Sequence, residues 1–279
     1  MKSIFTKEML DYMIANYKTM EYSKIAEHLG LTDKQVRTKM SKLGYRKNRT
    51  FNNRYFQYID TPLKAYFIGF IFADGWVCAN NETKNYEFGI ELQSQDEYIL
   101  NKINEELGGI HMITHTSPMK ITINGIEANR KETSTLRVLS KPLVLDLINN
   151  GIVTNKTKKD IYPIISDELF FDFLRGYIDG DGCYWNSKKR PNCIFLHMTC
   201  ASQKILEYLQ NKLLKYNIRT QIYMENDRKY RLMCTNCDSM KILINNLYPN
   251  REVFCLKRKL KKIEKYLNEE AEEASFLLN

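Results

Sequence analysis

Asp74 closes the apolar run "FIGFIFADG" and Asp181 closes "LRGYIDGDG", and each is followed at once by a glycine, Gly75 or Gly182. A carboxylate at the C-terminal end of a helix sits at the negative pole of the macrodipole, which costs about 0.3–1 kcal/mol. Two such carboxylates brought together also repel each other. A divalent cation reverses the sign of both effects, and hard oxygen ligands of this kind suit Mg2+ or Mn2+. A cation shared by such a pair can activate a water without any protein nucleophile.

The elements that must position the pair can be read around it. Thr61 is a good N-cap and Pro62 a good first helical residue. The run to Ala73 has almost no polar residue, as in a helix buried nearly all round. Gly69 and Ala73 lie four apart on one face, as do Gly176 and Gly180 in the second copy. Glycine inside a helix costs about 1 kcal/mol against alanine, a loss that makes sense if two helices pack small face to small face. If they run in the same sense, Asp74 and Asp181 converge. Gly75 and Gly182 are expected to turn left-handed out of the helices.

The segments that follow repeat. "YEFGIEL" and "CIFLHMT" alternate like strands, "QSQDEYILNKINEEL" and "ASQKILEYLQNKLLKY" have a helical period, and "LINN" occurs at 147–150 and 243–246, after strands that carry Arg137 and Arg231. Each half therefore reads helix, two strands, helix, two strands, helix. Asn124–Gly125 is a hairpin signal for the second strand pair of the first half.

Residues 1–60 hold 12 Lys and Arg against 6 Asp and Glu, whereas the remaining 219 carry 30 against 27, so a basic N-terminal unit facing a polyanion is expected. Thr6, Ser23 and Thr32 can each cap a short helix, with Gly30 and Gly44 as helix ends. The positions of Ala26, Gly30 and Val36 resemble a helix-turn-helix, whose second helix would expose Lys34, Gln35, Arg37, Thr38 and Lys39 to phosphates and base edges. Residues 45–60 mix Arg46, Lys47, Arg49 and Arg54 with aromatics and read as a linker, tracking a DNA backbone or simply solvated.

The two motif copies resemble those of the LAGLIDADG homing endonucleases, over residues of about 61–268. The resemblance implies an α+β fold of tandem pseudo-symmetric αββαββα half-domains, 61–162 and 163–268, that form a DNA saddle. A helix-turn-helix domain (1–50) and a basic linker (51–60) precede them, and an acidic tail (269–279) follows. It implies that Asp74 and Asp181 hold the metal, while the motif's other acid is Phe72 in the first copy and Asp179 in the second. It further implies a catalytic lysine after the last strand of each half, Lys156 or Lys158 and Lys257 or Lys259. Ser94, Gln95, Ser202 and Gln203 could position water or phosphate, or cap helices. Lys120, Thr122 and Arg137 in the first half, and Arg219, Gln221, Tyr223, Lys229 and Arg231 in the second, are the strand-face candidates for base contacts. The expected protein is a monomeric, metal-dependent, site-specific endonuclease acting on a long, weakly palindromic DNA site. A non-cleaving regulator or an RNA maturase on the same scaffold is the alternative. No run of 18 apolar residues occurs, and the seven cysteines are expected as free thiols in a reducing cytoplasmic, nucleoid-associated or organellar setting. A zinc site from Cys234, Cys237, Cys193, Cys200 and His197 is the lesser reading of those cysteines.

Overall fold

The computed structural model describes residues 4–17, 20, 22–45, 51–123, 126–154, 160–187, 190–226, 229–249 and 252–264. The chain divides into two compact units, Met1–Thr50 and Phe51–Asn279.

In the first unit, α1 (Lys7–Asn16), α2 (Tyr22–Leu29) and α3 (Asp33–Lys42) enclose a small core of Met13, Tyr22, Ile25, Ala26, Val36 and Met40. Thr6 caps α1 through the Met9 N–H, and Thr32 with Gln35 forms a capping box on α3. Gly30 and Gly44 end α2 and α3 with φ of +65° and +81°, the conformation expected of them. Ser23 does not cap, since α2 already includes it.

The second unit contains the duplication. Its first half runs α4 (Pro62–Asp74), β1 (Gly75–Asn80), β2 (Asn85–Gln93), α5 (Glu97–Glu106), β3 (Ile113–Thr116), β4 (Met119–Ile123), β5 (Ile126–Arg130), β6 (Thr133–Leu139) and α6 (Lys141–Asn149). The second runs α7 (Phe170–Asp181), β7 (Gly182–Ser187), β8 (Arg190–Cys200), α8 (Gln203–Leu214), β9 (Gln221–Asn226), β10 (Lys229–Cys234) and α9 (Cys237–Leu247). The sheets are antiparallel, ordered β1-β2-β6-β3 and β7-β8-β10-β9, so the two halves share one strand order. Each sheet packs one face on its helices. Phe88, Ile90, Leu136 and Val138 are buried in the first, and Leu196, Met198, Leu232 and Cys234 in the second.

Three expectations change here. The strand pair expected around Asn124–Gly125 is an inserted two-stranded ribbon, β4–β5, and the second pair of the first half is β3 with β6. The turn at 124–125 itself lies outside the described residues. Residues 51–60 are not a free connector, because Phe56 is fully buried in the second unit's core and Arg54 pairs with the buried carboxylate of Asp146 at 2.9 Å. Arg46, Lys47, Arg49 and the acidic tail lie outside the described residues. Finally, Cys193 and Cys237 form a disulfide rather than free thiols. They are the residues at which β8 and the start of α9 come together, three residues beyond the Cys234–Leu196 pair along each segment. Among the described residues no group of three His, Cys, Asp or Glu is placed to hold a metal, which removes the zinc reading.

Candidate metal and nucleic-acid site

Glycine decides how α4 and α7 meet. A Cβ on Gly69 would lie 1.9 Å from the Phe173 carbonyl oxygen, and one on Gly176 would lie 2.0 Å from that of Tyr66. The two contacts are reciprocal, so each helix presents its small face to the other's backbone. Toward the C-terminal ends, a Cβ on Gly180 would lie 2.2 Å from the Ala73 Cβ and 3.1 Å from Asp74 Oδ2. Contacts that advance together along both helices mean parallel helices, and they bring Asp74 beside Gly180 and Asp181. Both aspartates are exposed. Beside them is a cleft lined by Phe72, Ala73, Tyr177, Asp181, Thr199, Cys200, Ala201 and Ile205.

Gly75 and Gly182 do not turn left-handed as expected. Both are extended, with φ of −83° and −81°. They are glycines because the chain leaves each helix pressed against its last turn: a Cβ on Gly75 would lie 2.8 Å from the Ile71 carbonyl, and one on Gly182 2.7 Å from that of Ile178. The repeated geometry starts β1 and β7 in the same way and carries the two carboxylates at equivalent points.

The ends of the two motif helices are supported differently. Lys259 is buried, and its ammonium donates to the carbonyls of Ile178, Asp179 and Gly182 at 2.6 Å each and of Gly180 at 3.3 Å. It therefore satisfies the orphan carbonyls of α7 and places a positive charge at the negative pole of that helix. Burial pushes its pKa down to about 8, against the opposing pull of Asp179 and, more weakly, of Asp74 and Asp181. Asp179, also buried, accepts from the Tyr66 hydroxyl at 2.9 Å and from the Leu256 N–H at 2.6 Å, both on Oδ2. Burial raises its carboxyl to about 6. Arg175 donates to the carbonyls of Phe254 and Leu247. The segment after α9 is thus tied to α7 and, through Arg258 to Asp96 (2.9 Å) and the Tyr98 hydroxyl to the Cys255 carbonyl (3.0 Å), to the first half as well. Phe72, the first copy's counterpart of Asp179, packs its ring on Tyr177 and Phe173 instead.

The other candidates scatter. Lys257 is exposed, with its ammonium 5.0 Å over the Tyr98 ring. Lys156 and Lys158 lie outside the described residues. Ser202 caps α8 and donates to Asp160, while Ser94 opens a 3-10 turn and accepts from Ser134. Gln95 and Gln203 bond to Gln93 and Glu207. Lys120 is exposed on the β4–β5 ribbon, which also carries Thr122. Arg137, Gln221, Tyr223 and Arg231 lie on the sheet faces away from the core. Arg231 is held by Glu225 at 2.7 Å, as is Lys229 at 3.4 Å. Arg219 precedes β9 and anchors it through its N–H to Ser239. In the first unit Lys34, Arg37 and Thr38 are exposed on α3. Gln35 is spent on the capping box, and Arg37 pairs with Asp33 at 2.5 Å.

Sequence reasoning missed Arg175, and it offered Lys257 or Lys259 as the second active-site lysine without a sign that Lys259 is buried. The clue was a lysine-rich stretch, "CLKRKLKK", with one member on the apolar side of its helix. Lys259 falls three residues after Leu256 and four before Ile263, both fully or nearly fully buried.

The family model described as "LAGLIDADG-like domain" matches residues 168–265. No curated protein matches the chain in sequence. Among solved structures, the homing endonuclease I-WcaI bound to its DNA recognition sequence is 17% identical, aligned over 76% of this chain and 92% of that one, with a TM-score of 0.49. Mesophilic variants of the homing endonuclease I-DmoI are 15% identical over 70% of this chain and 98% of theirs, with a TM-score of 0.45. Full-length DUF199/WhiA from Thermatoga maritima is 14% identical over 81% and 69%, with a TM-score of 0.45. The LAGLIDADG-like match thus falls on the second half, residues 168–265, and the half that precedes it repeats the same order of paired strands.

Proposed function

We propose that the chain is a site-specific, double-strand DNA endonuclease whose two sheets straddle the duplex and whose aspartates Asp74 and Asp181 hold divalent cations at the scissile phosphates. The observation that supports this reading above the others is the glycine seam, which brings two exposed carboxylates to one end of a parallel helix pair. Two carboxylates are too few for an all-protein cation cage, but they match Mg2+, which takes one or two carboxylates and completes its shell with phosphate oxygens and water. Cations held by Asp74 and Asp181 would supply an activated water and would stabilise charge on the phosphate.

The chain's own residues then have definite tasks. Asp74 and Asp181 orient what binds between them. Lys259 acts as a positioning residue, because its four carbonyl bonds fix the end of α7 that carries Asp181. Exposed cations on the sheets and on α3 bind the phosphate backbone, with α3 acting as a recognition helix. Incubating the purified chain with a randomised duplex library and Mg2+ tests the reading. Enrichment of cut molecules that share one sequence is expected, and no cleavage with either Mg2+ or Mn2+ would overturn it in favour of a protein that binds without cutting.

A further inference from the structure

Trp76, Gly89 and Arg137 form one row across the first sheet. Trp76 faces Gly89 between β1 and β2, and Gly89 faces Arg137 between β2 and β6. Their strand neighbours Val77, Phe88, Ile90, Leu136 and Val138 are buried, so alternation puts the row on the face away from the core. The indole lies across Gly89, where a Cβ would come within 2.1 Å of the ring. The Arg137 guanidinium stands 5.9 Å from the centroid of the same indole. Its Nε is 4.0 Å from Glu87 Oε1, the oxygen that also accepts from Trp76 Nε1 at 3.3 Å. The Arg137 side chain is nevertheless 64% exposed. Among the described residues no carboxylate lies closer to the guanidinium than that of Glu87, and that one faces Nε rather than the outer nitrogens.

Each member of the row has a separate effect. Gly89 leaves room for the indole to lie across the strand, and the indole and, further off, the Glu87 carboxylate are the neighbours of the guanidinium on that face. The guanidinium thus has an aromatic neighbour on the sheet while its side chain stays open to solvent. A phosphate contact needs only a flexible point charge, whereas bidentate recognition of a base edge needs a planar fork held in orientation. We propose that Arg137, seated on Trp76 across Gly89, reads a guanine edge in the half-site facing the first sheet. The proposal rests on the DNA-binding reading above. At the equivalent register the second sheet carries Cys183, His197 and Met233. No guanidinium stands at that register, so an arginine seated in this way has no counterpart in the second sheet.

The test selects duplexes from a randomised library by affinity for the full chain, then repeats the selection with R137A, R137K and G89A. The parent should yield a consensus with a guanine in one half-site. In R137A and R137K the preference for that guanine should fall roughly 10- to 100-fold while the other positions persist. R137K keeps the charge and the exposed location, so it separates loss of the fork from loss of the fold or of general attraction. G89A removes no polar group but unseats the indole, and it should erode the same position. An unchanged consensus in R137K, or an equal loss at every position in R137A, overturns the proposal and leaves DNA binding intact. Failure of the parent to enrich any sequence overturns the DNA-binding reading and the proposal with it.

Discussion

Asp179 takes both of its hydrogen bonds on Oδ2, and among the described residues its buried Oδ1 has no partner. Burial raises its pKa from an ordinary 3.8 to about 6, so the folded state holds a proton that the unfolded state has released between those values. Its contribution to stability is therefore present below about pH 4 and is lost as pH rises toward 6, by about 3 kcal/mol at most. In D179N the amide oxygen keeps both acceptor bonds and the titration disappears. Urea unfolding of the metal-free protein should show D179N gaining on the parent as pH rises from 4 to 6. A constant difference across that range would mean that Asp179 ionises normally in the fold. Lys259 has the opposite electrostatic cost and a different use. K259M keeps the stem and removes the ammonium shared by the carbonyls of Ile178, Asp179, Gly180 and Gly182, of which Ile178 still accepts the Gly182 N–H. It should lower the melting temperature clearly, by an amount equivalent to about 3 kcal/mol or more. A melting curve that overlays the parent's would refute the capping role.

At the scale of elements, the α4–α7 pair tolerates nothing larger than glycine where it crosses. G69A or G176A would drive a methyl into a backbone carbonyl, which cannot move aside as a side chain can. Each should cost at least about 3 kcal/mol, at the upper end of overpacking penalties; denaturant midpoints within error of the parent's would mean that the helices do not cross there. This seam was legible in the sequence because glycines spaced four apart in an apolar helix have few other uses, and the aspartates were legible because a dipole argument makes them costly. Other features left little local trace. The cap on α7 joins Lys259 to residues 77 to 81 positions earlier, and lysine-rich stretches are usually solvated. Gly75 and Gly182 advertised a left-handed turn, but the reason for them was contact with a helix carbonyl, which composition does not distinguish. The β4–β5 ribbon carried the strongest hairpin dipeptide in the half and so drew the second strand pair onto itself. Cys193 and Cys237 become neighbours only through the β8–β10 register.

The whole molecule combines a basic three-helix unit with a duplicated scaffold. If the first unit contributes phosphate contacts, a chain of residues 51–279 should bind DNA more weakly, with a flatter dependence of log affinity on log salt, since that slope scales with the phosphates neutralised. Fluorescence anisotropy at several salt concentrations measures both, and equal slopes for the two proteins would exclude the first unit from DNA contact. Because both motif helices lie in one chain, one copy should occupy one site, and two different half-sites should then suffice. The central claim remains that Asp74 and Asp181 together hold the metal that cuts. Its most direct measurement is the Mg2+-dependent cleavage rate of D74N and of D181N on a duplex that the parent cuts, with each variant first shown to bind that duplex and to melt like the parent. The rate should fall to background in both variants while affinity holds or rises, because each substitution removes a negative charge facing a polyanion; cutting at near the parent rate by either variant would contradict the claim.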